Sequence, residues 1–165
     1  MIRSWRRNDE ARLAAAANDR SVSRYMPDAF PHPYTTEDAR AWINLNRNSK
    51  VATNFAVTVE DTVVGGIGYR RLSLEKRFTA EWGYWLGSRY WGQGLATCAA
   101  TEFVAYVFEN YEIERLQAHV YAPNVASMRV LENSGHVREG VLRRAVYKSG
   151  RFYDVALYAL TRDMR

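Results

Sequence analysis

The chain has 165 residues, 47% hydrophobic and 25% charged, which is a globular composition of a length that buries a real core and excludes a disordered chain. No apolar run approaches a membrane span, and the lone Cys98, with His32, His119 and His136 scattered singly, excludes an intrachain disulfide and points to no metal site. The net charge of +5 would suit nucleic acid, an acidic protein or a polyphosphate ligand and decides among none of them, a solvated basic face being the simplest account.

Met1 to Arg6 carries Ile2 and Trp5 among polar residues and reads as a first strand. The opening MIRSWRRNDE lacks the apolar stretch of a secretory leader, so a cytoplasmic protein is expected. Asn8 or Asp9 can cap a helix through Ala17, with Leu13 and the alanines as its apolar face. Val22, Tyr25 and Met26 suggest a short helical piece before Pro27. Phe30-Pro-His-Pro-Tyr-Thr35 holds two prolines and is expected to be an extended, ordered turn. Thr35 then caps a helix with Asp38 in the third position, as in a capping box. Ala39, Trp42, Ile43 and Asn46 run along that helix, which ends near Asn48.

Asn54 to Val59 sets Phe55, Val57 and Val59 against Ala56 and Thr58, a half-buried strand. Glu60-Asp61-Thr62 is a tight connection into a strand over Val63 to Leu72, so the pair reads as a hairpin. Gly65, Gly66 and Gly68 in that strand predict a bulge or the close approach of another backbone. After a charged connection to Arg77 comes a short aromatic strand, Glu81 to Gly87. The helix Leu95 to Asn110 has Ala96, Ala99, Ala100, Phe103, Val104, Val107 and Phe108 on one broad face. Cys98, early in it, reads as a small packed residue rather than a nucleophile.

Ile113 to Ala122 alternates Leu116, Ala118, Val120 and Ala122 with Arg115, Gln117, His119 and Tyr121. A strand following strand and helix predicts a parallel neighbour for the Glu81–Gly87 strand. Asn124 to Ser134 is a helix carrying Met128, Val130 and Leu131 and stopped by Gly135. Val137 to Leu142 and Phe152 to Leu160 read as the last strands, with Lys148 to Arg151 as a turn. The predicted fold class is mixed α/β: a central twisted mixed sheet of about six to seven strands flanked by helices.

Between the Glu81–Gly87 strand and the Leu95 helix lies Arg89-Tyr-Trp-Gly92-Gln93-Gly94. A helix N-terminus offers unpaired N–H groups and the positive end of the dipole to an anion. Glycines let the backbone come close to it. A P-loop needs Lys and then Ser or Thr after its last glycine, whereas Leu95, Ala96 and Thr97 stand here. A dinucleotide fingerprint needs Gly or Ala where Thr97 stands, and an early place in the chain.

What remains, Arg89-x-x-Gly92-x-Gly94 followed by Leu95-Ala96, resembles the acetyl-CoA pyrophosphate loop of the GNAT acetyltransferases. The wider run EWGYWLGSRYWGQGLAT resembles the RimJ/RimL-like branch, which acetylates protein N-termini and other primary amines. The element order β-α-α-β-β-β-α-β-α-β-β is similar to the family layout over nearly the whole chain, so residues 1–165 are expected to be one GNAT domain. The FPHPYT segment, Asn124-x-x-Ser127 with Gly135, and the ending from Gly150 through Asp154 to Tyr158 resemble the family as well. His136 departs from it, standing where the family usually has Phe, and is expected to alter packing more than chemistry.

The resemblance implies acetyl-CoA as donor and no metal. The N–H groups of Gly92, Gln93, Gly94, Leu95 and Ala96 would cradle the pyrophosphate, and Arg89 would add charge, unless it is a plain surface arginine. The main chain of Trp85, Leu86 and Gly87 would pair with the pantetheine arm, with the Leu86 N–H facing the thioester carbonyl. Asn124 would bond the pantetheine and Ser127 would protonate the leaving thiolate; helix capping by Asn124 is the plain alternative, compatible with both. Glu81 would take the amine's proton through water, an assignment level with a salt bridge to Arg70 or Arg71. For Tyr84, Tyr147 and Tyr153, packing is favoured over proton transfer.

The expected partner is an amine acceptor, either a protein N-terminus or a small molecule, with no membrane, nucleic acid disfavoured and a homodimer allowed. A protein α-amine has a pKa of about 8 and a lysine about 10.4, so a weakly assisted site suits the α-amine. A small-molecule or antibiotic amine, and a non-catalytic acyl-CoA-binding module, stand as alternatives.

Overall fold

The computed structural model describes residues 1–164. The main elements are β1 (Ile2–Arg3), α1 (Glu10–Ala17), α2 (Arg20–Ser23), α3 (Thr36–Arg47), β2 (Asn54–Val59), β3 (Thr62–Arg71) and β4 (Thr79–Leu86). They continue with α4 (Leu95–Asn110), β5 (Arg115–Tyr121), α5 (Val125–Asn133), β6 (Val137–Lys148) and β7 (Arg151–Thr161). The strands form one seven-stranded mixed sheet in the order β1-β2-β3-β4-β5-β7-β6. β5 runs parallel to β4, as the intervening helix predicts, and antiparallel to β7. Residues Met1–Gly68 with Tyr84–Ala99 make one compact unit, and Tyr69–Gly83 with the residues from Ala100 onward make a second. β3, β4 and α4 each run from one into the other.

In the first unit the capping box forms as predicted. Thr35 Oγ1 accepts from the Asp38 N–H at 3.2 Å, and the Asp38 carboxylate accepts from the Thr35 N–H at 2.8 Å. α3 buries Ala39 and Ile43 in a core with Leu13, Ala14 and Ala17 of α1, Trp5 and Tyr34, and Phe30 and Trp85 pack against it. Three expectations are corrected here. The first strand shrinks to Ile2–Arg3, because Trp5 turns into that core. Asp9 does not cap α1 with its side chain; its carboxylate instead accepts from the Arg6 N–H and from Nη1 and Nη2 of Arg3, each at 2.8 Å. β2 is not half-buried: Phe55, Ala56, Val57 and Thr58 are all buried, so Ala56 and Thr58 are small residues under cover rather than a solvent face.

The expected close approach and bulge are both present. A Cβ on Gly65 would lie 2.1 Å from the Trp85 carbonyl oxygen. The register of β2 on β3 shifts between Val57 and Thr58.

In the second unit Phe103 of α4 packs its ring 6.1 Å from Tyr69 of β3 and 5.7 Å from Trp82 of β4. The Arg162 guanidinium donates to the carbonyls of Phe108, Tyr111 and Ile113, at 2.8, 2.9 and 2.8 Å, and so satisfies backbone acceptors left open where α4 ends. β5 alternates as predicted, with Leu116, Ala118 and Val120 buried. Of the three apolar residues expected on α5, Leu131 alone is buried. β6 continues to Lys148 rather than stopping at Leu142. Its register on β7 shifts between Leu142 and Val146, and Asp154 Oδ1 accepts from the Arg144 N–H at 2.8 Å, which carries the strand through a charged, irregular stretch.

Candidate active site

β4 ends at Leu86 and the chain then turns through Ser88–Tyr90 into Trp91-Gly92-Gln93-Gly94. Local bonds fix this turn. Trp91 Nε1 donates to the Leu86 carbonyl at 2.8 Å and Gln93 Nε2 donates to the Arg89 carbonyl at 2.9 Å. Ser88 Oγ donates to the carboxylate of Asp19, which also caps α2 by accepting from the Ser21 N–H at 2.8 Å. The hydroxyls of Ser21 and Ser88 hold the Asp19 carboxyl below the usual carboxylate range.

Gly92 and Gly94 lie at φ +72° and +75°, and an added Cβ on either would meet nothing within 4 Å. They are needed for backbone conformation and leave the surface before α4 open. The Cys98 N–H donates to the Gly94 carbonyl at 3.0 Å, so the N–H groups from Leu95 to Thr97 precede the helical ladder of a 16-residue helix. With Arg89 exposed beside it, the turn has the donors and the field that a diphosphate requires. Cys98, expected to be packed, is exposed.

The three residues before the turn differ in what they offer. The Gly87 N–H is committed to the Val64 carbonyl at 2.9 Å and the Gly87 carbonyl accepts from the Tyr90 N–H at 2.9 Å. Both backbone groups of Gly87 are thus engaged, and the Leu86 carbonyl already accepts from Trp91 Nε1.

Glu81, Asn124 and Ser127 belong to the second unit. The Glu81 side chain is 28% exposed, and its Oε2 accepts from Arg70 Nη2, the salt bridge weighed from sequence. Its Oε1 lies 3.1 Å from His119 Nδ1. The sequence did not bring His119 to Glu81, because the register of β5 on β4 decides it. β4 and β5 pair from Thr79↔Arg115 to Glu81↔Gln117, and His119 is the next residue of β5 on the face of Gln117. Asn124 caps α5, its Oδ1 accepting from the Ser127 N–H at 3.3 Å, so the plain role read for this pair is present. Tyr153 stacks on Tyr121 at 5.6 Å and Tyr147 packs on Phe152 at 5.0 Å, in keeping with packing roles. Among the described residues no group of His, Cys, Asp and Glu could hold a metal ion, and no helix is long and apolar enough to cross a membrane.

The acetyltransferase (GNAT) domain family matches residues 1–137. The uncharacterized N-acetyltransferase YoaA of Bacillus subtilis (strain 168) is 34% identical over 158 residues, covering 93% of this chain and 87% of that protein. The ribosomal-protein-serine acetyltransferase of Escherichia coli (strain K12) is 31% identical over 126 residues, covering 74% and 70%. Among solved structures, Mycobacterium smegmatis RimJ in complex with CoA-disulfide shares the fold at a TM-score of 0.87 and 22% identity, covering 98% of this chain and 81% of that one. With this turn and this sheet, the chain belongs to the GNAT acetyltransferases and is an N-acetyltransferase that uses acetyl-CoA.

Proposed function

We propose that the acceptor is the α-amine of a protein N-terminus. Glu81 carries this assignment: one carboxylate oxygen is held by Arg70 and the other faces His119. A carboxylate engaged on both sides is poorly placed to strip a lysine ammonium directly. An α-amine, with a pKa of about 8, is already roughly one-tenth neutral near pH 7 and asks less of the site. The similarity to a ribosomal-protein-serine acetyltransferase supports a protein acceptor.

On this reading the N–H groups of Gly92, Gln93, Gly94, Leu95 and Ala96, with the charge of Arg89, hold the diphosphate of the donor. Trp85 and Leu86 pair through their main chain with its pantetheine, which Asn124 also bonds. Ser127 returns a proton to the departing thiolate, and Glu81 belongs to the group that takes one from the amine. Residues 1–165 act as one cytoplasmic acetyltransferase domain; the family match runs through parts of both compact units.

Three acceptors decide the matter: a lysine-free peptide with a free N-terminus, an N-terminally blocked peptide with one lysine, and a polyamine. The free α-amine is expected to win in kcat/KM by roughly a hundredfold, the scale set by the two amine pKa values. Preference for the polyamine would assign a small-molecule acceptor, and preference for the blocked peptide a lysine side chain.

A further inference from the structure

We propose that His119 is a catalytic residue, whose Nε2 takes the proton from the acceptor ammonium, and that Glu81 is the positioning residue that holds its ring. This rests on N-acetyl transfer to an amine, whichever amine that is. The Glu81 carboxylate, with Oε1 3.1 Å from Nδ1, favours the ring hydrogen on that nitrogen and so the lone pair on Nε2. Arg70 fixes the other carboxylate oxygen. The three groups stand on neighbouring strands β3, β4 and β5, where the β4–β5 ladder stops after Glu81↔Gln117.

The His119 side chain is 35% exposed and within reach of a solvated substrate. Space is open nearby on β4, since a Cβ added at Gly83, two residues on from Glu81, would meet nothing within 4 Å. On β5 itself the neighbouring side chains of this face have other contacts. Arg115 of β5 is held by Glu139 of β6 at 2.7 and 2.5 Å, and Tyr121 stacks on Tyr153 of β7. Directly across on β7 is Leu157, which has no proton to exchange.

In the step, one ammonium proton passes to His119 Nε2, and the freed nitrogen pair forms the C–N bond to the acetyl carbon. The C–S bond breaks with its pair going to sulfur, the thiolate takes a proton, and the second amine proton is released to solvent with the one on His119 when the ring is restored. No oxidant or further reactant is needed.

The tests use the full chain. In wild type at neutral pH, nitrogen NMR should show His119 as the Nδ1–H tautomer, and E81Q should lose that preference; an Nε2–H ring in wild type overturns the proposal without any acceptor being known. With whichever amine the wild type uses, H119Q should lose about a hundredfold in kcat/KM. It should also lose the acidic limb of the pH profile, while acetyl-CoA raises its Tm as in wild type. Imidazole in the buffer should restore part of the activity of H119A. An H119Q enzyme within about threefold of wild type, an unchanged acidic limb, or an H119A defect that imidazole does not relieve would each sink the assignment. If the wild type acetylates none of the amines offered, the acceptor reading fails, and the tautomer measurement still decides His119.

Discussion

Trp82 on the central strand donates its indole N–H to Nε2 of His136 across 3.0 Å, with both residues buried. That leaves the ring hydrogen on Nδ1, 3.2 Å from Ser134 Oγ, and the serine hydroxyl donates in turn to the Leu131 carbonyl at 2.9 Å. His136 is thus the hydrogen-bond acceptor of the Trp82 indole, and not merely a ring in the place of Phe.

Replacing it tests this. His136→Phe keeps a ring beside Trp82, whose centroid is 5.1 Å away, but removes the acceptor that the indole N–H uses. A buried donor without an acceptor costs about 1–3 kcal/mol. For a chain of this size each kcal/mol is worth roughly 2–4 °C in Tm. The Tm should therefore fall by several degrees, and urea unfolding should give the same loss, while acetyl-CoA affinity stays unchanged. A variant as stable as wild type would show that the bond contributes nothing.

The same residue fixes a pH dependence. Burial pushes the His136 pKa down from 6.5 to about 4. Its folded value is below its unfolded one, so between these pH values the unfolded chain binds a proton that the folded chain refuses. The stability it contributes is complete above 6.5 and is lost as the pH falls through about 4. The loss amounts to about 3 kcal/mol over that window. Urea midpoints of wild type and His136→Phe, taken from pH 7 to pH 4, should converge toward the acid end; parallel curves would contradict the shift.

How much of this was legible from sequence depended on how local the cause was. The α3 boundaries followed from Thr35 and Asp38, and α4 from one continuous apolar face, because caps and amphipathic faces are written in adjacent residues. The turn at Gly92 and Gly94 was legible for the same reason. The length of β6 was not, because its course past Leu142 depends on Asp154, ten residues beyond Arg144 in the chain. Ala56 and Thr58 looked like a solvent face because small residues carry little polarity signal, and their burial is settled by what packs above them. Arg70 or Arg71, at the end of the preceding strand, could be weighed as a partner for Glu81, whereas His119 required the register of two parallel strands joined through a helix.

Gly94 offers a test of the turn that leaves the fold intact. Its φ of +75° disfavours any side chain, yet an added Cβ meets no protein atom. Gly94→Glu should cost about 1–2 kcal/mol of backbone strain. It would also place an anion where the donor's diphosphate is proposed to lie. Wild type should be stabilised by about 2.7 kcal/mol at a hundredfold excess of acetyl-CoA over its Kd. The variant should melt a few degrees lower and show no such stabilisation. Full retention of the ligand-induced shift would place the diphosphate elsewhere.

Gly65 and Gly83 separate a close approach from open space. A Cβ at Gly65 would lie 2.1 Å from the Trp85 carbonyl oxygen, 2.6 Å from Leu86 Cδ2 and 3.0 Å from Leu86 Cα. Two of these are backbone atoms at the end of β4 and cannot swing aside as a flexible side chain would. Gly65→Ala must push β3 and β4 apart just before the turn, where the Gly87 N–H reaches back to the Val64 carbonyl at 2.9 Å. The cost should exceed the roughly 1–3 kcal/mol of ordinary overpacking. Acetyl-CoA binding should weaken with it, because the turn is carried by the displaced strand. At Gly83 an added Cβ meets nothing within 4 Å, so Gly83→Ala should stay within about 0.5 kcal/mol of wild type, as surface substitutions do. Urea unfolding of the two variants side by side checks both statements, and equal stabilities would show that β3 and β4 accommodate a methyl group at Gly65 without cost.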